Sequence, residues 1–204
     1  MTNSVPVRRG PGRRRSEASR LAVLRATRDL LDEGGYERLT IGGIATRAGV
    51  GKDTIYRWWP SKAMIVANSV LEAEDDPFFS DEPADTGHLA ADLTAWLRRR
   101  AIDYIVDPTS AARIRAVTAA ATEDEKTAIL IYERFAHPQQ QAVVNRLRRA
   151  AEVGEIHTNA DFAAVADALL GTLFYWLIAR RRDVEIDTVC RLLDVLLAGL
   201  RTVE

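Results

Sequence analysis

The chain has 204 residues, 28 of them Lys or Arg and 29 Asp or Glu, for a formal net charge of −1. Apolar residues make up 47%, which excludes a disordered chain, and the composition excludes a collagen, a low-complexity polymer and a disulfide scaffold. By position the neutral sum separates: Met1 to Lys62 holds 13 basic and 6 acidic residues (net +7), and Ala63 to Glu204 holds 15 and 23 (net −8). A basic first third joined to an acidic remainder implies two jobs, the first directed at a polyanion.

Taken in order, residues 1–15 read as a disordered basic arm, with Arg8, Arg9, Arg13, Arg14 and Arg15 and no acid. Such an arm either stays solvated or orders along phosphates and the minor groove. No apolar stretch follows it, so a secretory signal is not expected. Val23, Leu24, Thr27, Leu30 and Leu31 then share one helical face, Ser16 or Ser19 caps the start, and Gly34-Gly35 supplies a stop. A short helix fits Ile41 to Ala48, with Thr40 as N-cap and Gly49 as breaker. Another runs from about Lys52 to Trp58 and must end before Pro60, and Ser61 caps a fourth to about Glu74.

Two short helices around a tight glycine turn, preceded by a longer helix, match a helix-turn-helix. Ala45 and Ala48 are small where the helices pack closely, Ile41 and Ile44 face inward, and Val50 plugs the core after Gly49. In the second helix Lys52, Asp53, Thr54 and Arg57 face out while Ile55 and one Trp face in.

Residues 21–66 resemble the N-terminal domain of the tetracycline-repressor (TetR/AcrR) family of transcriptional regulators. The matching elements are Gly35-Tyr36, Thr40-Ile41, Ile44-Ala45, Ala48-Gly49-Val50, and Tyr56, Trp59 and Lys62. The resemblance implies that Thr40 contacts phosphate through its hydroxyl and the helix dipole. It implies that Lys52, Thr54 and Arg57 meet base edges and phosphates, and that Tyr56 and Lys62 clamp the backbone. Trp58 would lie over the sugar-phosphate edge and Trp59 in the aromatic core. Three residues depart from the pattern: Asp53, usually small and uncharged; Gly51, commonly Ser; and Gly42-Gly43, costing about 1 kcal/mol each against Ala.

Beyond the head, Glu74 to Gly87 reads as a loop whose Phe78 and Phe79 tuck onto the body. Helices fit about 88–106, 109–122, 124–153, 160–181 and 186–203, with Pro138 kinking or breaking the third. Phe162 to Ala179 is apolar except for Asp167 and Thr172. A span needs about 20 apolar residues and a central Asp costs roughly 3 kcal/mol in lipid, so it reads as a helix buried on nearly all sides. The lone Cys190 forms no internal disulfide, which fits a reducing cytoplasm, and no membrane partner is expected.

The body holds no phosphate loop, dinucleotide motif, HExxH or CxxC, and His88, His137 and His157 are not at ligand spacing. No catalytic residue, metal or cofactor is expected. With the resemblance, its aromatic excess implies an effector pocket lined by Trp96, Ile131, Tyr132, Phe135 and Phe174, with Thr118 and His137 as polar anchors. The last two helices read as a dimerisation unit through Gly171, Leu193, Leu196, Leu197 and Leu200, alongside Val189 and Leu192.

The expected protein is therefore all-α: a three-helix helix-turn-helix domain (16–62) and a larger helical effector-binding and dimerisation domain (63–204). It would be a homodimeric regulator, most simply a repressor, released from double-stranded operator DNA by an unknown small molecule, in the cytoplasm on the nucleoid. The alternatives are a helical enzyme with an incidental helix-turn-helix, and an activator or architectural binder with a filled pocket.

Overall fold

The structure is a computed structural model that describes residues 11–72, 82–157, 159–179, 185 and 187–200. Every regular element among them is a helix. The expected positions of Phe78 and Phe79, and the first ten residues of the arm, lie outside the described residues.

The first helix, α1, is assigned to Pro11–Arg38, with a kink at Gly35 whose φ of 70° no ordinary helical residue adopts. The expected stop at Gly34-Gly35 is thus a sharp break followed by one more turn. At the other end, Arg13, Arg14 and Arg15 are helical where the sequence suggests a disordered arm. Pro is well suited to the first position of a helix and Arg is a good helix former, so α1 extends back to Pro11. Val23, Leu24, Thr27 and Leu31 are buried as the periodicity requires.

Three short helices follow, α2 (Ile41–Ala48), α3 (Lys52–Tyr56) and α4 (Lys62–Leu71). The Ser61 hydroxyl caps α4 by accepting from the Met64 amide at 3.1 Å. Their core includes Ile44, Ile55, Trp59 and the buried face of α4 from Ala63 to Leu71. A boundary drawn at residue 62 therefore cuts through continuous packing.

The body begins with α5 (Leu89–Ala101), which runs into a π-helical turn at Ile102–Val106. Next come α6 (Pro108–Ala121), α7 (Glu125–Ile131), a second π-helical turn (Tyr132–Ala136) and α8 (His137–Glu152). The break expected at Pro138 takes the form of this second π turn. Pro138, in the first turn of α8, lacks a donor and crowds the carbonyl four residues back, and the widened turn before it accommodates both. The last helices are α9 (Phe162–Ile178) and α10 (Asp187–Ala198).

Helix α6 belongs to two cores. Its Ala111 and Ile114 pack in the body cluster with Leu93, Trp96, Leu147 and Leu169. Its Ala116, Val117 and Ala120 pack in the head cluster with Leu31, Ile65 and Val66. Arg113 reinforces the join with paired hydrogen bonds to the Asp32 carboxylate of α1, at 3.1 and 2.7 Å.

Two expectations fail on burial. Leu193, Leu197 and Leu200 are 0%, 3% and 7% exposed inside their own chain, so they cannot form a face open to a partner. The apolar stripe of α10 is spent on the intramolecular core, with Leu196 packed partly against it. Nor is α9 buried on nearly all sides, because Tyr175 and Ile178 are exposed.

A buried ion pair ties α5 to α8. Arg146 is bound to Asp92 through Nε at 3.1 Å and Nη2 at 2.9 Å, and Nε also donates to the Ala84 carbonyl. Asp92 further accepts from the Thr86 amide and hydroxyl at 3.0 and 2.7 Å. Burial alone would raise the Asp92 pKa, but the hydrogen bonds from Thr86 and Arg146 outweigh it and hold the carboxyl below its ordinary value. Its stabilisation is therefore present above the unfolded pKa of about 3.9 and lost as pH falls through the lower folded value. Arg146→Ala leaves Asp92 buried without its counter-ion and is expected to cost about 3–5 kcal/mol at neutral pH. Urea denaturation measures it, and a loss under about 1 kcal/mol would show the pair to be structurally idle.

Candidate nucleic-acid interface

The turn between α2 and α3 sets the geometry of the head. Gly49 takes φ 66°, and its amide and that of Val50 turn back onto the carbonyls of Thr46 and Ala45 at 3.3 and 3.0 Å. That closure places α3 across α2 with Ile55 fully buried. Thr40 caps α2, its hydroxyl accepting from the Gly43 amide at 3.0 Å. A Cβ at Gly43 would stand 3.2 Å from that hydroxyl, so the glycine keeps the cap unobstructed.

With Ile55 inside, the opposite side of α3 faces out. Lys52, Asp53, Tyr56 and Arg57 are exposed, and Thr54 and Trp58 are half-buried. Trp59 is buried, and its indole N–H donates to the Asn68 side chain at 2.7 Å, anchoring the end of α3 to α4. Trp58 packs edge-on against Trp59 with centroids 5.5 Å apart, and the Arg57 guanidinium lies 5.4 Å from the Trp58 ring. Thr40, Lys52, Thr54, Tyr56, Arg57 and Trp58 thus occupy the partly or fully exposed positions that the sequence suggests.

Lys62 differs. Its ammonium sits 3.8 Å from the Tyr36 ring centroid and 3.8 Å from Glu123 of the body, and donates to the Tyr36 carbonyl at 3.5 Å. It is held against the protein rather than extended as an outward clamp. Burial, with Glu123 close by, raises the Tyr36 phenol well above its ordinary pKa. Beside Lys62, the Ser61 hydroxyl donates to Asp124 at 3.4 Å. Asp124 in turn caps α7, accepting from the Thr127 amide and hydroxyl at 2.8 and 2.6 Å, which lowers its pKa. The α6–α7 link therefore grips the start of α4.

The face of α6 and α7 that is turned toward α9 opens a cavity of about 370 Å³. Thr118, Ile131, Tyr132, Phe135 and Phe174 line it, as the sequence suggests. Trp96 does not: it is fully buried in the body core, with the Arg100 guanidinium 5.1 Å from its ring. His137 is not among the lining residues either, and its ring instead lies 5.6 Å from that of Tyr132. Gly171, expected at a dimer interface, is exposed and also borders the cavity. Gln140 and Asp167 also line it, though the sequence marks Asp167 only as a break in an apolar stretch and gives Gln140 no role. A signal for Asp167 as a wall residue exists: it is the only charged residue in Phe162 to Ala179, and it shares a helical face with Leu170 and Phe174.

Residues 23–68 match the family model of bacterial regulatory proteins of the tetR family, and residues 83–196 match the tetracyclin repressor-like C-terminal domain. This chain belongs to the TetR family of helix-turn-helix transcriptional regulators. It is 32% identical over 174 residues to the HTH-type transcriptional regulator YdeS of Bacillus subtilis, covering 85% of each chain. It is 33% identical over 157 residues to the DNA-binding transcriptional repressor TetR of Mycobacteroides abscessus, covering 75% of this chain and 78% of that one. Among solved structures, the TetR family transcription regulator SCO0332 superposes with a TM-score of 0.68 at 29% identity, covering 90% of this chain and 99% of that one. TetR-family regulators bind DNA and act as dimers. No helix among the described residues is long and apolar enough to cross a membrane.

Thr40→Ala removes the side-chain cap of α2 and is expected to destabilise the head by about 1 kcal/mol, with Thr40→Ser retaining most of the stability. Denaturation midpoints without DNA measure this, and equal midpoints for all three proteins would show that the cap contributes nothing.

Proposed function

We propose that the chain is a homodimeric repressor released from a palindromic operator by a small molecule. The observation that carries this reading is the position of the cavity: Val117 and Ile131 line it and also pack in the core of the head. A molecule that enters between α6 and α7 must displace side chains on which the head rests. The same movement shifts the α6–α7 link, where Glu123 and Asp124 hold Lys62 and Ser61 at the start of α4. The head then tilts and the spacing of the two recognition helices changes.

In the DNA-bound form each α3 lies in a major groove, the pair about one turn (~34 Å) apart. Lys52, Thr54 and Arg57 meet bases and phosphates, Tyr56 and Trp58 hold the backbone, and Thr40 meets a phosphate at the N-terminus of α2. Arg13, Arg14 and Arg15, at the start of α1, add positive charge beside the duplex. The name of the Mycobacteroides abscessus relative supports repression as the direction of control.

The dimer joins α9 and α10 to their copies through a different face from the one the leucine spacing suggests. Ala164, Ala168, Gly171, Tyr175 and Ile178 form an exposed stripe along α9, and Val195 is 70% exposed on α10. Small residues and glycine on such a stripe permit close helix approach. Tyr175→Asp combined with Val195→Asp is expected to give folded monomers in light scattering. Leu193→Asp, by contrast, buries a charge in the core and is expected to unfold the body. A dimer that survives the exposed pair of changes would place the interface elsewhere.

Ligand and DNA oppose each other through one coupling energy, typically 1–3 kcal/mol. Gel-shift binding to the DNA upstream of the protein's own coding sequence, repeated across candidate small molecules, identifies a releasing compound. Operator DNA is expected to weaken that compound's binding by the same factor by which the compound weakens DNA binding. Equal compound affinity with and without operator would refute the reading.

A further inference from the structure

The cavity wall is chemically one-sided. Three aromatic residues, Tyr132, Phe135 and Phe174, line it, and among the described residues no Lys, Arg or His does. Asp167 is the one charged lining residue among those described. Two polar lining residues direct donors back into the protein: the Thr118 hydroxyl donates to the Ile114 carbonyl at 2.9 Å, and the Gln139 amide to the Phe135 carbonyl at 3.3 Å. The Gln140 amide donates to one Asp167 oxygen at 2.6 Å, which fixes the carboxylate on the wall. Asp167 lies one turn of α9 from Gly171 and two from Phe174, so the charge and an aromatic face border the same opening.

We propose that this cavity selects a hydrophobic cation: an amine or quaternary ammonium bearing an aromatic or alkyl body, with its positive centre between Asp167 and the rings. This inference rests on the reading of the cavity as the effector site and adds the class of molecule that fits it. An aromatic wall attracts a cation through the ring quadrupole, and a carboxylate beside it adds charge attraction, which low ionic strength preserves at an exposed rim. The apolar remainder of the wall takes the body of the molecule. An anion of the same shape meets a carboxylate that no basic side chain among the described lining residues offsets. Asp167 is exposed, so the site admits the cation at its rim and the apolar body beyond it.

The test is a set of three probes of matched shape, titrated calorimetrically into the full-length protein at low salt. Benzyltrimethylammonium is the cation, neopentylbenzene its uncharged isostere and benzylsulfonate its anionic counterpart. The cation is expected to bind at least about tenfold tighter than the neutral probe, and the anion weakest. Asp167→Asn preserves an acceptor for Gln140 and is expected to erase the preference, leaving the neutral probe's affinity unchanged. Asp167→Glu is expected to restore it. Equal affinities for cation and neutral probe, or a uniform loss with Asp167→Asn, would overturn the charge selection while leaving an effector cavity in place. Failure of all three probes, the two ions at millimolar concentration and the neutral one at its solubility limit, in protein that still binds its upstream DNA, would overturn both this inference and the effector reading of the cavity.

Discussion

The structure depends on one helix serving two cores. Helix α6 contributes Ala111 and Ile114 to the body and Ala116, Val117 and Ala120 to the head, over barely three turns. Interiors are packed at near-crystalline density, so a displacement of α6 cannot be absorbed on one side alone. The small residues along α6 matter here, because they let the neighbouring helices approach closely. The Arg113–Asp32 pair adds a directional contact to a packing surface that is otherwise non-specific.

That sharing explains the arrangement around the α6–α7 link. Asp124 caps α7 and receives Ser61, which itself caps α4, so two helix starts are joined through one carboxylate. Lys62 stands beside it with the Tyr36 ring on one side and Glu123 on the other. A residue that the family resemblance assigns to DNA backbone is held here in the seam between head and body. The seam adjoins the cavity, and the chain packs head, seam and cavity wall against one another.

Much of the head was legible because its constraints are local. A positive φ at Gly49, a hydroxyl cap at Thr40 and inward Ile44, Ile55 and Trp59 each follow from neighbours a few residues away. The body was legible only in outline. Periodicity located each helix to within a few residues, yet it could not say which neighbour an apolar face would meet. Trp96 and Phe135 look alike in sequence, but one is sealed in the body core and the other borders the cavity. Leu193 and Leu197 repeat at helical spacing, which core and dimer interface require equally, and burial within the chain decides for the core.

The charge division with which the sequence opened, +7 against −8, marks a head with an exposed polar face on α3 and a body whose cavity wall holds a carboxylate. The sequence by itself determined the helical class, the helix-turn-helix and its outward residues, because turn geometry, capping and amphipathic spacing act over short stretches of chain. Only the tertiary structure decided which aromatics line a cavity, which leucines are spent inside, and that Gln140 and Asp167 meet across 27 positions. Those outcomes depend on how whole helices pack against one another, and helical spacing specifies a face without specifying what covers it.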